Sequence, residues 1–323
     1  MNILGTKAET LKLLYKKLKY AEVLPQYSFT VADWDREKPE VIKKFSKLEW
    51  NDNVIVRSSS LNEDTQNSSL AGKFESIGNV RGVLAFENAV EQVIRTYDDD
   101  GCANQVLVQP MLVSVKMCGV AFTLEPSTLG NYYVVNYDET GSTSAITSGN
   151  GERASLYYQF KDADSEVCPQ TLRPIIAALK ELEEFFNQDN LDVEFAVTED
   201  GRLYILQVRA LCVPPKRIDK VRHAKELERI VEKIKKNSER KPFLCGEKAV
   251  YSVMTDWNPA EMIGVRPKTL ALSLYQEIIT DSVWAYQRDN YGYRNLRSFP
   301  LMVDFCGLPY IDVRVSFNSF IPA

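Results

Sequence analysis

The stretch VIVRSSSLNEDTQNSSLAGKFESIGNV, Val54 to Val80, decides how this chain is read. Three apolar residues run straight into Arg57, and a loop of Ser, Asn, Thr and Gly follows. The apolar lead predicts a short buried strand. Its last side chain is a guanidinium, which a core strand does not ordinarily deliver. Small residues such as those in SSLAGK let backbone N–H groups approach phosphate oxygens closely. An ordinary surface turn would use the same residues, so the loop alone leaves both readings open.

A second stretch, LDVEFAVTEDGRLYILQVRA (191–210), predicts two strands joined by a tight turn. If Asp200-Gly201 forms a two-residue type I′ turn, paired residue numbers sum to about 401. Glu194 then lies opposite Gln207, and Asp192 opposite Arg209. Alternation puts these four polar residues on one face, with Val193, Phe195, Val197, Val208, Leu206 and Tyr204 on the other, core face. Two carboxylates, an amide and a guanidinium together suit a magnesium–phosphate site, because magnesium takes oxygen ligands from one or two side chains. Arginine binds phosphate oxygens in a bidentate fashion. A solvent-facing sheet with cross-strand polar pairs is the other reading of the hairpin alone.

Between and around these stretches the chain alternates helical and extended patterns. TKAETLKLLYKKL, AFENAVEQVIRTY and TLRPIIAALKELEEFF carry apolar residues at helical spacing, the last tolerating Pro174 in its first turn. VLPQYSFTV reads as extended, since Pro25 biases Leu24 away from helix. QVLVQPML and CGVAFTL read as two paired strands, and NYYVVNY as another. The resulting class is α+β. Residues 216–240 are dense in interleaved Lys, Arg and Glu, which predicts a solvated linker helix. From Lys248 onward the chain is rich in aromatics and Asn.

Composition narrows the function classes. With 323 residues and 45% hydrophobic content, two or three domains are expected. A net charge of −5 argues against a chain that coats nucleic acid. No apolar run approaches the ~20 residues that cross a bilayer, and no signal-peptide pattern opens the chain. Six scattered cysteines (102, 118, 168, 212, 245, 306) with no CxxC pair favour reduced thiols and a cytoplasmic location.

The Val54–Val80 stretch resembles the phosphate-binding segment of the N-terminal nucleotide-binding domain of phosphoenolpyruvate synthase and pyruvate phosphate dikinase, where a pattern close to VRSSATAED…SFAG occurs. Other motifs follow in family order across residues 4–211. LGTKAETLKLL is similar to GGKGANLAEL, and VLPQYSFTV to VPPGFVVT. VLVQPMLVSVKMCGVAFTLEP resembles VxVQxMV…SGVxFTxDP, SGNGE resembles GLGE, and LDVEFAVTEDGRLYILQVRAL resembles DIEWA…GxLYILQxRP. The resemblance implies an ATP-grasp fold of two lobes, 1–110 and 111–213. A linker helix (214–247) and a mainly helical accessory segment (248–323) that looks truncated would follow.

The same resemblance implies roles. Arg57 and Arg209 would be catalytic and hold phosphate, with Lys7 and the Gly72 loop also on the phosphates. Gln109, Met111 and Leu112 would lie beside adenine, Met111 by packing and the others mainly through backbone. Glu194 and Gln207 would bind magnesium. Leu70, Lys73 and Phe74 depart from the family pattern, and LGTK lacks its second glycine. Family enzymes convert ATP to AMP and phosphate through a phosphohistidine on a swivelling domain with its own Gly-rich motif. His223, the one histidine, lies in KVRHAKELER without that motif. The implied function is therefore an MgATP-binding module of a dikinase-type phosphotransferase that passes the β-phosphoryl group to a histidine domain supplied in cis or in trans. No nucleic-acid or membrane partner is implied.

The region from Met254 resembles the middle part of glutamine-kinase-like members from capsule and surface-polysaccharide gene sets. That resemblance implies a small-metabolite phosphoryl acceptor, glutamine among the candidates. Asp256, Asn258, Arg288 and Arg314 are polar enough to touch one, although a helical domain packed through its aromatics explains the same residues. Two alternatives stand beside this reading: a non-catalytic nucleotide-binding subunit, and an ATP-grasp ligase that forms an acyl-phosphate directly.

Overall fold

The computed structural model describes residues 3–60, 76–97, 104–139, 154–211, 218–253 and 255–323. Gly72, Lys73, Phe74 and the SGNGE stretch lie outside the described residues. Two compact units are present, Met1–Ile218 and Asp219–Ala323. The class is α+β, with three antiparallel sheets.

The first unit holds two sheets. The four-stranded one contains β1 (Tyr27–Thr30), β2 (Val54–Ser59), β3 (Ser76–Val80) and β4 (Gln105–Pro110), in the order β1-β4-β2-β3. On one of its faces Phe29, Val54, Val56, Val106 and Val108 pack against helices α2 (Val31–Ser46) and α3 (Val83–Arg95). Trp34, Val41 and Phe45 of α2 and Phe86, Val90 and Val93 of α3 complete this core. α2 bends at Glu37 (φ −134°, ψ 34°), two residues before Pro39, whose ring cannot sit in a regular helix interior.

The opposite face of that sheet looks elsewhere. Leu107 of β4 belongs to the second core, together with Ala8, Leu11 and Leu14 of α1 (Lys7–Leu14). α1 starts with a capping box: the Thr6 hydroxyl accepts from the Glu9 N–H, and the Glu9 carboxylate accepts from the Thr6 N–H. It ends at Leu14, a turn sooner than the apolar spacing predicts, and Leu18 packs at the core's edge.

The five-stranded sheet has the order β7-β6-β5-β8-β9, formed by β5 (Val115–Phe122), β6 (Tyr132–Asp138), β7 (Ser155–Phe160), β8 (Leu191–Thr198) and β9 (Leu203–Ala210). Helix α4 (Arg173–Phe186) covers one face, burying Ile175, Leu179, Leu182 and Phe186 on Ala121, Val135, Val193 and Phe195. Pro174 sits in its first turn, as the sequence predicts, and Asn187 closes it in the left-handed conformation.

Two sequence expectations need correction. β4 and β5 are not paired; they belong to different sheets, and residues 111–114 carry the chain between them. The β8–β9 turn is also not two residues long. Thr198 N–H donates to Arg202 O at 3.0 Å, and Gly201 (φ +85°) closes a three-residue loop of Glu199, Asp200 and Gly201. Pairs near the turn therefore sum to 400 (Phe195 with Ile205, Val197 with Leu203). A bulge between Glu194 and Phe195 restores 401 for Glu194–Gln207, Val193–Val208 and Asp192–Arg209. The four polar residues keep their expected pairing. The core face instead receives Leu203 and Ile205, while Tyr204 and Leu206 turn off it.

The second unit starts with α5 (Lys220–Ser238), the helix expected as a linker. It continues through β10 (Tyr251–Ser252), α6 (Pro259–Ile263), α7 (Thr269–Tyr275), a π-helical turn (Gln276–Thr280) and α8 (Val283–Asn290). β11 (Met302–Phe305), β12 (Leu308–Asp312) and α9 (Val313–Asn318) follow. It is mainly helical, with a small sheet of order β10-β12-β11. Its core gathers Leu272, Tyr275, Trp284, Leu301, Ile311 and Val315.

Candidate functional site

Strand alternation answers the question that Arg57 raises. Val54 and Val56 face the first core, so Ile55, Arg57 and Ser59 face away from it. Arg57 lies opposite Leu107 on β4, and its side chain, 12% exposed, reaches the second sheet. There Nη2 meets Glu194 Oε2 at 3.1 Å, and Nη1 donates to the Leu206 carbonyl at 3.1 Å. That carbonyl belongs to the residue that the β9 bulge leaves without a ladder partner. The bulge thus does two things: it restores the Glu194–Gln207 register and offers a backbone acceptor to Arg57. Arg57 Nε is buried and has no hydrogen-bond partner among the described residues.

Around this contact three cations, Arg57, Lys7 and Arg209, face two carboxylates, Asp192 and Glu194. Arg209 holds Asp192 through Nε and Nη2, both 2.7 Å from Oδ2. Burial pushes the Asp192 carboxyl above its ordinary range, with Arg209 opposing and Glu194 adding to the rise. Glu194 ends below its ordinary range. Burial pushes it up, but Arg57, then Lys7, then Arg209 together outweigh burial. Two carboxylates two residues apart are therefore driven in opposite directions, as functional sites often require.

Lys7 is the first residue of α1, buried, and close enough for its charge to act on Glu194. The backbone N–H groups of the first turn are mostly spent on protein acceptors: Thr6 on Glu9 Oε2, Ala8 on Ser59 Oγ and Glu9 on Thr6 Oγ1. The side chain of Lys7, more than the helix terminus, is what this turn offers to an anion.

The three residues expected beside adenine occupy the end of β4 and the connection after it. Gln109 shares the sheet face of Arg57, lies opposite Ile55, and is 1% exposed. Its amide nitrogen has no hydrogen-bond partner among the described residues. Met111 N–H donates to Asn53 O at 2.9 Å, and its sulfur packs so near Gly78 that a Cβ there would stand 3.3 Å away. Leu112 is half-buried.

A magnesium–nucleotide complex fits this donor set. Glu194 and the buried Gln207 supply one carboxylate and one amide, side by side. Among the described residues no group of three His, Cys, Asp or Glu side chains could cage a metal by itself. Magnesium ordinarily keeps several waters and takes few protein ligands, relying on phosphate for the rest. The orphaned Arg57 Nε and the nearby Lys7 point to an anion beside it.

Sequence reasoning missed Ser59, the Leu206 carbonyl and Gln105. Ser59 carried a signal, since its parity with Arg57 puts both on one face. The Leu206 carbonyl carried none, because it depends on the bulge. In the second unit the four polar residues considered for an acceptor serve the fold. Arg288 pairs with Asp256 at 2.5 Å and lies over the Phe320 ring, and Ser316 also donates to Asp256. Arg314 donates to the Asn237 and Glu239 carbonyls at the end of α5, and Asn258 caps α6. His223 is half-buried in the first turn of α5.

Part of this site lies in a segment that is similar to a known nucleotide-binding family. Residues 35–154 match the family described as pyruvate phosphate dikinase, AMP/ATP-binding domain. This segment, a little over a third of the chain, is an ATP-binding segment of the dikinase type and includes Arg57, Gln109, Met111 and Leu112. No curated protein matches the chain.

Among solved structures, the chain is similar to D-alanine–D-alanine ligase from Helicobacter pylori at 15% identity and TM-score 0.39, over 64% of this chain and 54% of that one. It is also similar to D-alanyl-alanine synthetase A from Vibrio cholerae (15%, TM-score 0.38, 68% and 58%). A third likeness is to PH1788 from Pyrococcus horikoshii (12%, TM-score 0.40, 64% and 89%). The chain thus spans about half the length of the two ligases. At these TM-scores the likenesses carry no functional weight. Among the described residues no helix is long and apolar enough to cross a membrane.

Proposed function

We propose that the first unit is an ATP-grasp module that binds MgATP between its two sheets, in a dikinase-type phosphotransferase. The observation that carries this reading is Arg57, which spans from the nucleotide-family segment to Glu194 and the Leu206 carbonyl on the second sheet. In the nucleotide complex Arg57, Lys7 and Arg209 bind the phosphate chain. Arg57 exchanges part of its contact with Glu194 for phosphate oxygens, and Glu194 and Gln207 hold the metal. Magnesium supplies neutralisation of the phosphate charge. Gln109, Met111 and Leu112 border the base. Preorganised cations in a site shielded from water stabilise charge far better than they would in solution.

The β-phosphoryl group passes to a histidine on a carrier domain, in cis or in trans, and from there to a small-molecule acceptor such as glutamine. Overall, ATP, water and the acceptor become AMP, inorganic phosphate from the γ position and the phosphorylated acceptor. His223 is not the carrier: it lies in a charged helix of the second unit with no Gly-rich sequence around it. Incubation of the chain with β-labelled ATP tests this. Slow hydrolysis at most, unchanged in His223→Ala, and no acid-labile label on the chain are expected. A label retained on His223 would overturn the carrier assignment.

A further inference from the structure

Of the three cations in the proposed site, Lys7 on α1 and Arg57 on β2 sit on elements that Ser59 helps to tie together. Ser59 is fully buried and lies two positions beyond Arg57 on the same face of β2. Its hydroxyl oxygen accepts the backbone N–H of Ala8, the neighbour of Lys7, at 2.9 Å. Its own N–H donates to the Tyr97 hydroxyl at 3.1 Å, and that hydroxyl donates to the Gln105 carbonyl at 2.5 Å.

Gln105 stands directly across the ladder from Ser59 and grips the same helical turn. Its side-chain oxygen accepts from Thr6 Oγ1 at 3.1 Å, and its amide nitrogen donates to Glu9 Oε1 at 3.2 Å. The first turn of α1 is thus clamped onto the strand pair that carries Arg57. Resting on the site reading above, we propose that Ser59 is a positioning residue that fixes Lys7 relative to Arg57, so that both reach one polyphosphate chain.

The physical reason is local. Without the Ser59 oxygen the buried Ala8 N–H has lost its acceptor, and the turn shifts to recover one. Lys7 follows that shift because it is the adjacent residue, whereas Arg57 stays in its ladder. Sub-ångström displacement of a binding cation is enough to reduce its contribution. In the site reading above the base contacts start at Gln109, near the opposite end of β4 from Gln105 and the α1 clamp.

Calorimetric titration of the full chain with MgATP and with adenosine tests this, at a temperature where melting curves show every variant folded. Ser59→Ala is expected to weaken MgATP binding about tenfold and adenosine binding less than about twofold. Ser59→Thr, which keeps the hydroxyl, stays within about threefold of wild type. Lys7→Met should cost much less affinity in the Ser59→Ala background than in the wild-type background, because the lysine is already misplaced there. If Ser59→Ala does not fold, Ser59→Cys, with its weak sulfur acceptor, takes its place in the same cycle. Additive effects of the two substitutions, or equal loss of MgATP and adenosine, overturn the inference while leaving the nucleotide site standing. Failure of the wild-type chain to bind MgATP overturns the site reading and the inference with it.

Discussion

Replacing Arg57 with Ala removes two charge-assisted hydrogen bonds, to Glu194 and to the Leu206 carbonyl, each 3.1 Å long. Bonds of this kind contribute about 1.5–3 kcal/mol each, and the desolvation of the guanidinium offsets part of the sum. Breaking a buried ion pair from one side costs about 3–5 kcal/mol. Glu194 keeps 26% of its side chain exposed and retains Lys7 and Arg209 nearby, so the low end, about 3 kcal/mol, is expected.

The pH dependence has a definite sign. In the wild type, cations hold the Glu194 carboxyl below its ordinary range. Such a group contributes stability above its unfolded pKa, and that stability is lost as the pH falls through the folded value. In Arg57→Ala the opposing push from burial gains ground, so Glu194 is strained at neutral pH and relieved once protonated. The deficit of the variant should therefore shrink from about 3 kcal/mol at pH 7 to about 1 kcal/mol near pH 4. Urea unfolding of wild type and variant at both pH values, read from the transition of the first unit, measures it. A deficit below about 1 kcal/mol at pH 7, or one that is the same at both pH values, would refute the reasoning.

Arg209→Ala should destabilise the chain by about 2 kcal/mol at pH 7, because it strands the buried Asp192 carboxylate. Asp192 already titrates above its ordinary range through burial, so its charged form is unfavourable at neutral pH and the strain is relieved as the pH falls through the raised value. Asp192→Asn in the Arg209→Ala background should recover most of the loss in denaturant melts. Gly119→Ala should destabilise the first unit by more than about 3 kcal/mol. Its Cβ would stand 2.3 Å from the backbone oxygen of Asn136 and 2.9 Å from the Phe195 ring, and a near-normal melting temperature would contradict that packing.

The sequence made the periodic parts of the first unit legible. α3 and α4 show clear amphipathic spacing, and β2, β6, β8 and β9 show apolar runs bounded by turn residues. α2 escaped notice because Pro39 and the bend at Glu37 interrupt its apolar spacing of Trp34, Val41 and Phe45. The sheet assignment of β4 and β5 was not legible, since adjacency in sequence argues for pairing and only tertiary packing sends them to different sheets. The Glu194–Gln207 and Asp192–Arg209 pairs were correctly expected from an incorrect turn: a loop longer by one residue is compensated by a bulge, and neither is visible in alternation alone. Family motifs singled out Arg57, whereas its acceptor at Leu206 is a backbone atom that no side-chain pattern encodes. Ser59 went unread although it shares the parity of Arg57, and its contact with α1, which spans 51 positions of chain, has no sequence signature.

Isothermal titration of the full chain with ATP, with and without magnesium, tests the central claim most directly. The account predicts a single site for MgATP in the wild type, with affinity that depends on magnesium. Arg57→Ala should weaken that affinity by about 1.5–3 kcal/mol, and Glu194→Gln should abolish most of the magnesium dependence while sparing the weaker magnesium-free binding. A folded wild-type chain that takes up no heat from MgATP, or one whose ATP affinity is indifferent to Arg57 and Glu194, would contradict it.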